Sequence, residues 1–166
     1  MRVHLQVLVA VTSILTVSSP VSAGPPAPST GVQVTVHTGS GDLATVETLM
    51  YRSSMPAFLA AAAHADPWFD WSTDYCSAPL VGSTGRSFDF RSACRRHDFG
   101  YRNLHLLERR YGAGSTYWNA TSRRRVDQQL LADMKNHCAG RPWYDQLTCV
   151  AWAETFYAAV RLAGGT

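Results

Sequence analysis

The sequence predicts a mostly α-helical domain held by disulfide cross-links. Apolar residues recur at helical spacing over several stretches, and little of the chain alternates with the period of a strand. The four cysteines, Cys76, Cys94, Cys138 and Cys149, are even in number in a chain that begins like an exported protein, which favours two disulfides. Three pairings are open at this point. There is no C-x-x-C pair, and the intervals do not suit a zinc ribbon.

The export signal comes first. Arg2 and His4 precede a short apolar run from Leu5 to Val17, and Val21-Ser22-Ala23 puts small residues where a signal peptidase reads them. The run is shorter than the roughly 18 residues a membrane span needs, and Ser18, Ser19 and Pro20 close it. Residues 1–23 are expected to be a signal peptide, and the protein to be secreted and extracellular. Residues 24–39 read as an N-terminal arm that opens rich in Pro, Gly and Ser. Residues 40–166 are a suitable length for one domain with one core.

Gly41-Asp42 before LATVETLM predicts a first short helix with Asp42 as its cap. Ser54 and Pro56 start a second helix through FLAAAAH. Residues 65–76 read as a loop with three large aromatics, Trp68, Phe69 and Trp71, which either fill the core or meet a lipid interface. Residues 77–87, rich in Gly, Ser and Pro, continue the loop. A long helix is expected over residues 88–111, despite Gly100, then helices over about 122–138 and 145–162. Residues 35–38 are the one weak strand signal.

Chemistry concentrates in CRRHDFGYRN, residues 94–103. Neighbouring helical residues point about 100° apart, so His97 and Asp98 cannot serve one partner equally, and Cys94 lies angularly between them. If Cys94 paired with Cys76, Asp74 and the Tyr75 carbonyl would come near Asp98. Two carboxylates and a carbonyl make a hard oxygen site suited to Ca²⁺. His97 beside it could take a proton from water. In the next long helix Asp127 falls on the apolar stripe of Val126, Leu130, Leu131 and Met134. A buried carboxylate needs a partner, either a histidine to orient or an arginine in a purely structural pair. No G-x-S-x-G elbow is present, so a water nucleophile with a metal electrophile fits better than a covalent serine.

With DWSTDYC at 70–76, ACRRHDFGYRN at 93–103 and RRVDQQLLADMKNHC at 124–138, the chain resembles the secreted phospholipases A2 of the compact bacterial and fungal type. The resemblance implies two long antiparallel core helices with a catalytic dyad between them. His97 matches the family's general base and Asp127 its orienting carboxylate. Asp98, Asp74 and the main-chain oxygen of Tyr75 match the protein ligands of Ca²⁺, and Tyr101 matches a tyrosine lining the site. The family's disulfides map to Cys76–Cys94 and Cys138–Cys149. The implied reaction is calcium-dependent hydrolysis of the sn-2 ester of a glycerophospholipid. The implied partner is a phospholipid membrane or micelle surface, met by a monomer, with no nucleic acid.

The chain lacks the glycine-rich, cysteine-spaced calcium loop of the animal secreted enzymes. The formal charge is +3, and the arginines group at 95–96, 109–110 and 123–125. Such groups either attract an anionic partner or are a solvated surface. A metal-dependent nuclease and a catalytically inactive membrane- or protein-binding scaffold are the rival functions. Asn119-Ala120-Thr121 is a glycosylation sequon.

Overall fold

The computed structural model describes residues 36–76 and 88–163. The expected signal peptide, most of the expected arm and the loop over 77–87 lie outside them. The described residues are mostly helical, and residues 36–38 have no regular structure in place of the weak strand signal.

The first helix, α1 (Gly39–Glu47), runs into a π-helical turn over Thr48–Arg52. Thr38, not Asp42, caps it: the Thr38 side chain accepts from the Gly41 amide at 3.1 Å. The cap expected at Asp42 is wrong because that carboxylate is only 3% exposed and is used elsewhere. It accepts from Trp68 Nε1 at 2.6 Å and Tyr111 Oη at 3.0 Å, and pairs with His37 Nδ1 at 2.8 Å. One acidic side chain thus ties α1 to the 65–76 loop and to the end of the long helix. In the π turn the Ser53 amide reaches back five residues to the Thr48 carbonyl, and the Met50 carbonyl accepts from Arg96 Nη1 at 3.3 Å. A wide turn that releases a carbonyl to a buried arginine is a local break the sequence pattern did not announce.

Next is α2 (Met55–Ala63), with Ser54 as N-cap and Pro56 in the first turn, where its missing N–H costs nothing. The long helix α3 (Arg91–Tyr111) starts three residues later than expected, because Phe90 keeps the cap position and buries its ring. Helix α4 (Ala120–Ala139) starts two residues earlier than expected. Asn119 accepts from the Thr121 and Ser122 amides while Ser122 Oγ accepts from the Asn119 amide, a reciprocal capping box. The sequon asparagine is therefore a helix cap, and its Nδ2 donates to the Ser115 carbonyl at 3.0 Å. Helix α5 (Trp143–Ala163) completes the chain's described part.

Side-chain pairs fix how the three long helices run. Between α3 and α4, Phe90 meets His137, Arg96 meets Asp133, His97 meets Asp127 and Tyr101 meets Arg123. Numbers rise on one helix as they fall on the other, so the pair is antiparallel. Helices α4 and α5 are antiparallel by the same reasoning: Cys138–Cys149, Lys135–Glu154 and Asp127–Arg161 follow in order. Helix α3 packs one face against α4 and α5 through Phe90, Ala93 and Cys94, and another against α1 and α2 through Phe99, Leu104 and Leu107. Both cysteine pairs match the resemblance, Cys76–Cys94 and Cys138–Cys149.

Trp68, Phe69 and Trp71 pack on the second of these clusters, which decides between their two expected roles in favour of the core. Phe69 is buried, and the Trp71 ring lies 4.4 Å from that of Phe99.

Two stability predictions follow from this packing. A Cβ on Gly100 would come within 2.6 Å of Met50 Cε and 3.2 Å of Val126 Cγ1. Alanine gains about 1 kcal/mol of helix propensity against a contact that the Met50 tip can relieve, so Gly100→Ala should be near neutral. Gly100→Val, with two γ-methyls in the same gap, should lose about 2 kcal/mol or more in chemical denaturation. At Asp42, burial raises the carboxyl pKa, but the bonds from Trp68, His37 and Tyr111 outweigh it and hold the carboxyl below its ordinary value. Its stabilisation is present above the usual carboxylate pKa and is lost as pH falls through the folded one. Asp42→Ala should cost about 1–3 kcal/mol near neutral pH, with the gap to the parent chain narrowing in acid.

Candidate active site

Helix α3 presents His97, Asp98 and Tyr101 within five residues, close to the middle of its length. His97 Nε2 lies 2.9 Å from Asp127 Oδ1 on α4. Asp127 is 0% exposed, whereas the His97 side chain retains 13% exposure and so sits at the edge of the buried pair. Burial raises the Asp127 carboxyl pKa; the hydrogen bonds and charges of His97 and Arg161 more than offset it, and the net shift is downward. The carboxylate is therefore ionised at neutral pH and can only accept. Nε2 is therefore the donor to Asp127, and Nδ1 is the ring nitrogen left to face another partner.

Arg161 completes the carboxylate. Its Nη1 donates to Asp127 Oδ2 at 2.7 Å, and Arg123 Nε stands 3.8 Å from the same oxygen. Arg123 Nε also donates to Tyr101 Oη at 2.9 Å. The Tyr101 ring lies 4.7 Å from the His97 ring and 4.6 Å from Trp118, filling the space beside the imidazole. Both alternatives that the sequence left for Asp127, a histidine and an arginine, are present together.

The second half of the site comes from the 70–76 loop. Asn103, fully buried on α3, donates to the Asp70 and Phe99 carbonyls at 2.7 and 2.8 Å and accepts from the Asp70 amide at 2.9 Å. That anchor and the Cys76–Cys94 disulfide hold both ends of the segment against α3. Between them, Thr73 Oγ1 donates to Asp98 Oδ2 at 2.5 Å, and the Asp74 and Tyr75 amides approach the same oxygen at 3.2 Å. Tyr75 has φ of 57°, a left-handed conformation that costs a side-chain-bearing residue about 1 kcal/mol. The bonds from its amide to Asp98 and to Thr73 Oγ1 hold it there.

Burial pushes the Asp98 carboxyl up; the Thr73 bond opposes this, and the nearby negative charge of Asp74 adds to it. Two carboxylates that repel each other, beside a main-chain turn, are a donor set suited to a hard divalent cation. Among the described residues no three acidic, histidine or cysteine side chains converge, so such an ion would need main-chain oxygen as well. Arg102 Nη2 donates to Asp74 Oδ1 at 2.9 Å and is the cation now paired with that carboxylate.

Thr73, Asn103, Arg102, Arg123 and Arg161 were not singled out from the sequence. Arg123 was accessible, since it precedes Asp127 by one helical turn. Arg161 was not, because 34 residues and a reversal of direction separate it from its partner.

A small, disulfide-linked helical domain with a buried histidine–aspartate pair between antiparallel helices, flanked by a second carboxylate, has the build of a hydrolase. The chain belongs to the prokaryotic phospholipase A2 family, whose model matches residues 46–164, and it is a phospholipase A2. A "Secretory phospholipase A2" of Arthroderma benhamiae is 34% identical over 125 residues, covering 73% of this chain and 78% of that protein. Another "Secretory phospholipase A2", of Beauveria bassiana, is 32% identical over 117 residues, covering 70% of this chain and 55% of that protein.

The Thr73 hydroxyl favours the ionised form of Asp98 against burial. Thr73→Val should therefore raise the Asp98 pKa further, as read by a carboxyl NMR titration with no metal added; an unchanged value would deny the bond its role.

Proposed function

We propose that the chain is a secreted, calcium-dependent enzyme that hydrolyses the sn-2 ester of glycerophospholipids with a water activated by His97. The observation that carries this reading is the 2.9 Å contact between His97 Nε2 and Asp127 Oδ1, one residue from a carboxylate that faces Asp74 and Tyr75. Asp127 holds the Nε2 proton and stabilises the ring when it becomes charged. Nδ1 takes a proton from water as the oxygen attacks the ester carbonyl, and the imidazolium returns that proton to the departing glycerol oxygen. A lysophospholipid and a fatty acid leave. Tyr101 packs beside the imidazole and limits its tilt.

Asp74, the Tyr75 carbonyl and Asp98 are the residues that would hold Ca²⁺. When bound, the ion supplies positive charge for the substrate phosphate and for the oxyanion that develops. Export through residues 1–23 agrees with the names of the two relatives. Residues 40–166 are the catalytic domain in this reading. The lipid surface is the partner, and one chain supplies both halves of the site, so a monomer suffices.

Several of the arginines weigh against a nuclease. Arg96 is buried against Asp133, Arg125 pairs with Glu47, Arg110 lies over Trp68, and Arg123 and Arg161 converge on Asp127. Cations engaged within the fold do not form a stripe for a phosphodiester backbone.

Position-labelled phosphatidylcholine, with and without Ca²⁺, gives the primary test: only the sn-2 label should be released, and only with the ion. Variants then separate the roles. Asp98→Asn should weaken calcium binding in calorimetry and turnover together. His97→Ala should abolish most turnover yet leave calcium binding largely intact. Equal loss of calcium in both variants would show that the roles are misassigned.

A further inference from the structure

Asp127 has two carboxylate oxygens, and they face different helices. Oδ1 meets His97 of α3, and Oδ2 meets Arg161 of α5 at 2.7 Å. The carboxylate is fully buried, so a counter-charge within hydrogen-bonding distance is required for it to stay ionised there. A carboxylate turns about a single soft torsion with a broad profile. Pinning one oxygen therefore fixes the direction of the other. Arg161 is the last-turn basic residue of α5, outside the α3–α4 pair that carries the histidine and aspartate.

The junction is reciprocal. Arg161 reaches from α5 to the side chain of Asp127 on α4, and Arg123 reaches from α4 to the backbone of α5. Arg123 Nη2 donates to the Arg161 carbonyl at 3.0 Å and the Val160 carbonyl at 3.5 Å, among the last carbonyls of the helix, where a cation is favoured. The Arg161 side chain keeps 30% exposure, so its head can be changed without opening the core.

We propose that Arg161 is a positioning residue for hydrolysis: by holding Asp127 Oδ2 it aims Oδ1 at His97 and makes the last turn of α5 part of the catalytic machinery. This rests on the reading of His97 as base and Asp127 as its orienting carboxylate. Arg161 touches neither substrate nor water in this role, and its whole effect passes through Asp127.

The test is a double-mutant cycle on the full mature chain, with Arg161→Met, Asp127→Asn and the two combined. Turnover is measured on phosphatidylcholine mixed micelles with Ca²⁺, alongside thermal melting. Loss of a charge-assisted bond to a buried carboxylate should lower kcat by roughly 10- to 100-fold in Arg161→Met. KM should stay within about twofold, because no ground-state contact with lipid is lost. In the Asp127→Asn background, Arg161→Met should cause no further loss, since its effect has no other route. Arg161→Lys, which keeps the charge and one donor, should recover part of kcat.

A parent-like kcat in Arg161→Met with a slow Asp127→Asn overturns the proposal and leaves the dyad standing. A raised KM with kcat kept overturns it in favour of a substrate contact. Losses that multiply in the double variant overturn it as well. Parent-like turnover in Asp127→Asn sinks the dyad reading and this inference with it. Should Arg161→Met fail to fold, Arg161→Lys decides: a kcat loss that vanishes beside Asp127→Asn supports the proposal, and an equal loss in both backgrounds refutes it.

Discussion

A carboxylate with no exposure to water organises the three long helices. Asp127 lies between α3 and α5 on the apolar stripe of α4, and removing that charge from water costs several kcal/mol before any partner is counted. The fold meets that cost by bringing one donor from each neighbouring helix, His97 at 2.9 Å and Arg161 at 2.7 Å. Each of those contacts requires a particular register of its helix against α4. The antiparallel α3–α4 pair and the α4–α5 hairpin are therefore linked through one side chain, with Cys138–Cys149 closing the far end of the hairpin.

The second half of the site depends on a different kind of constraint. The 70–76 segment has no regular structure, and its backbone groups must be satisfied one by one. Asn103 satisfies both main-chain groups of Asp70, and Asp98 takes the amides of Asp74 and Tyr75. Cys76 is then fastened to Cys94, a helical turn before Asp98. A segment held at both ends can keep Tyr75 in a left-handed conformation. The proposed ion site is thus assembled from a loop whose shape is imposed by α3.

The aromatic loop residues and the arginines show how misleading composition can be. Trp68, Phe69 and Trp71 suit a lipid interface by type, but a domain of this size needs large rings to fill its core, and they are used there. The arginine groups suggest an anionic partner by number, yet several serve as internal struts. Arg96 spans α3 to the π turn and to Asp133, and Arg110 covers the face of Trp68. Among the described residues, Trp143, Tyr144 and Leu147 near the start of α5 are exposed, as are Leu162 near its end and Val36.

The sequence by itself determined the helical class, the approximate extent of the five α-helices, and the burial of Asp127. These follow from periodicity and from Gly, Pro and polar stop signals, which act over a few residues. The pattern around Cys94 also placed His97, Asp98 and Tyr101 on one side of α3. Only the tertiary structure decided which side chains complete those groups. Asp42 looked like a cap from its place in the chain and became a buried hub, because its partners Trp68 and Tyr111 lie 26 and 69 residues away. Thr73, Asn103 and Arg161 entered the site for the same reason. A hydrogen bond selects partners by distance and direction in space, and helix reversal brings together residues whose separation along the chain carries no periodic signal.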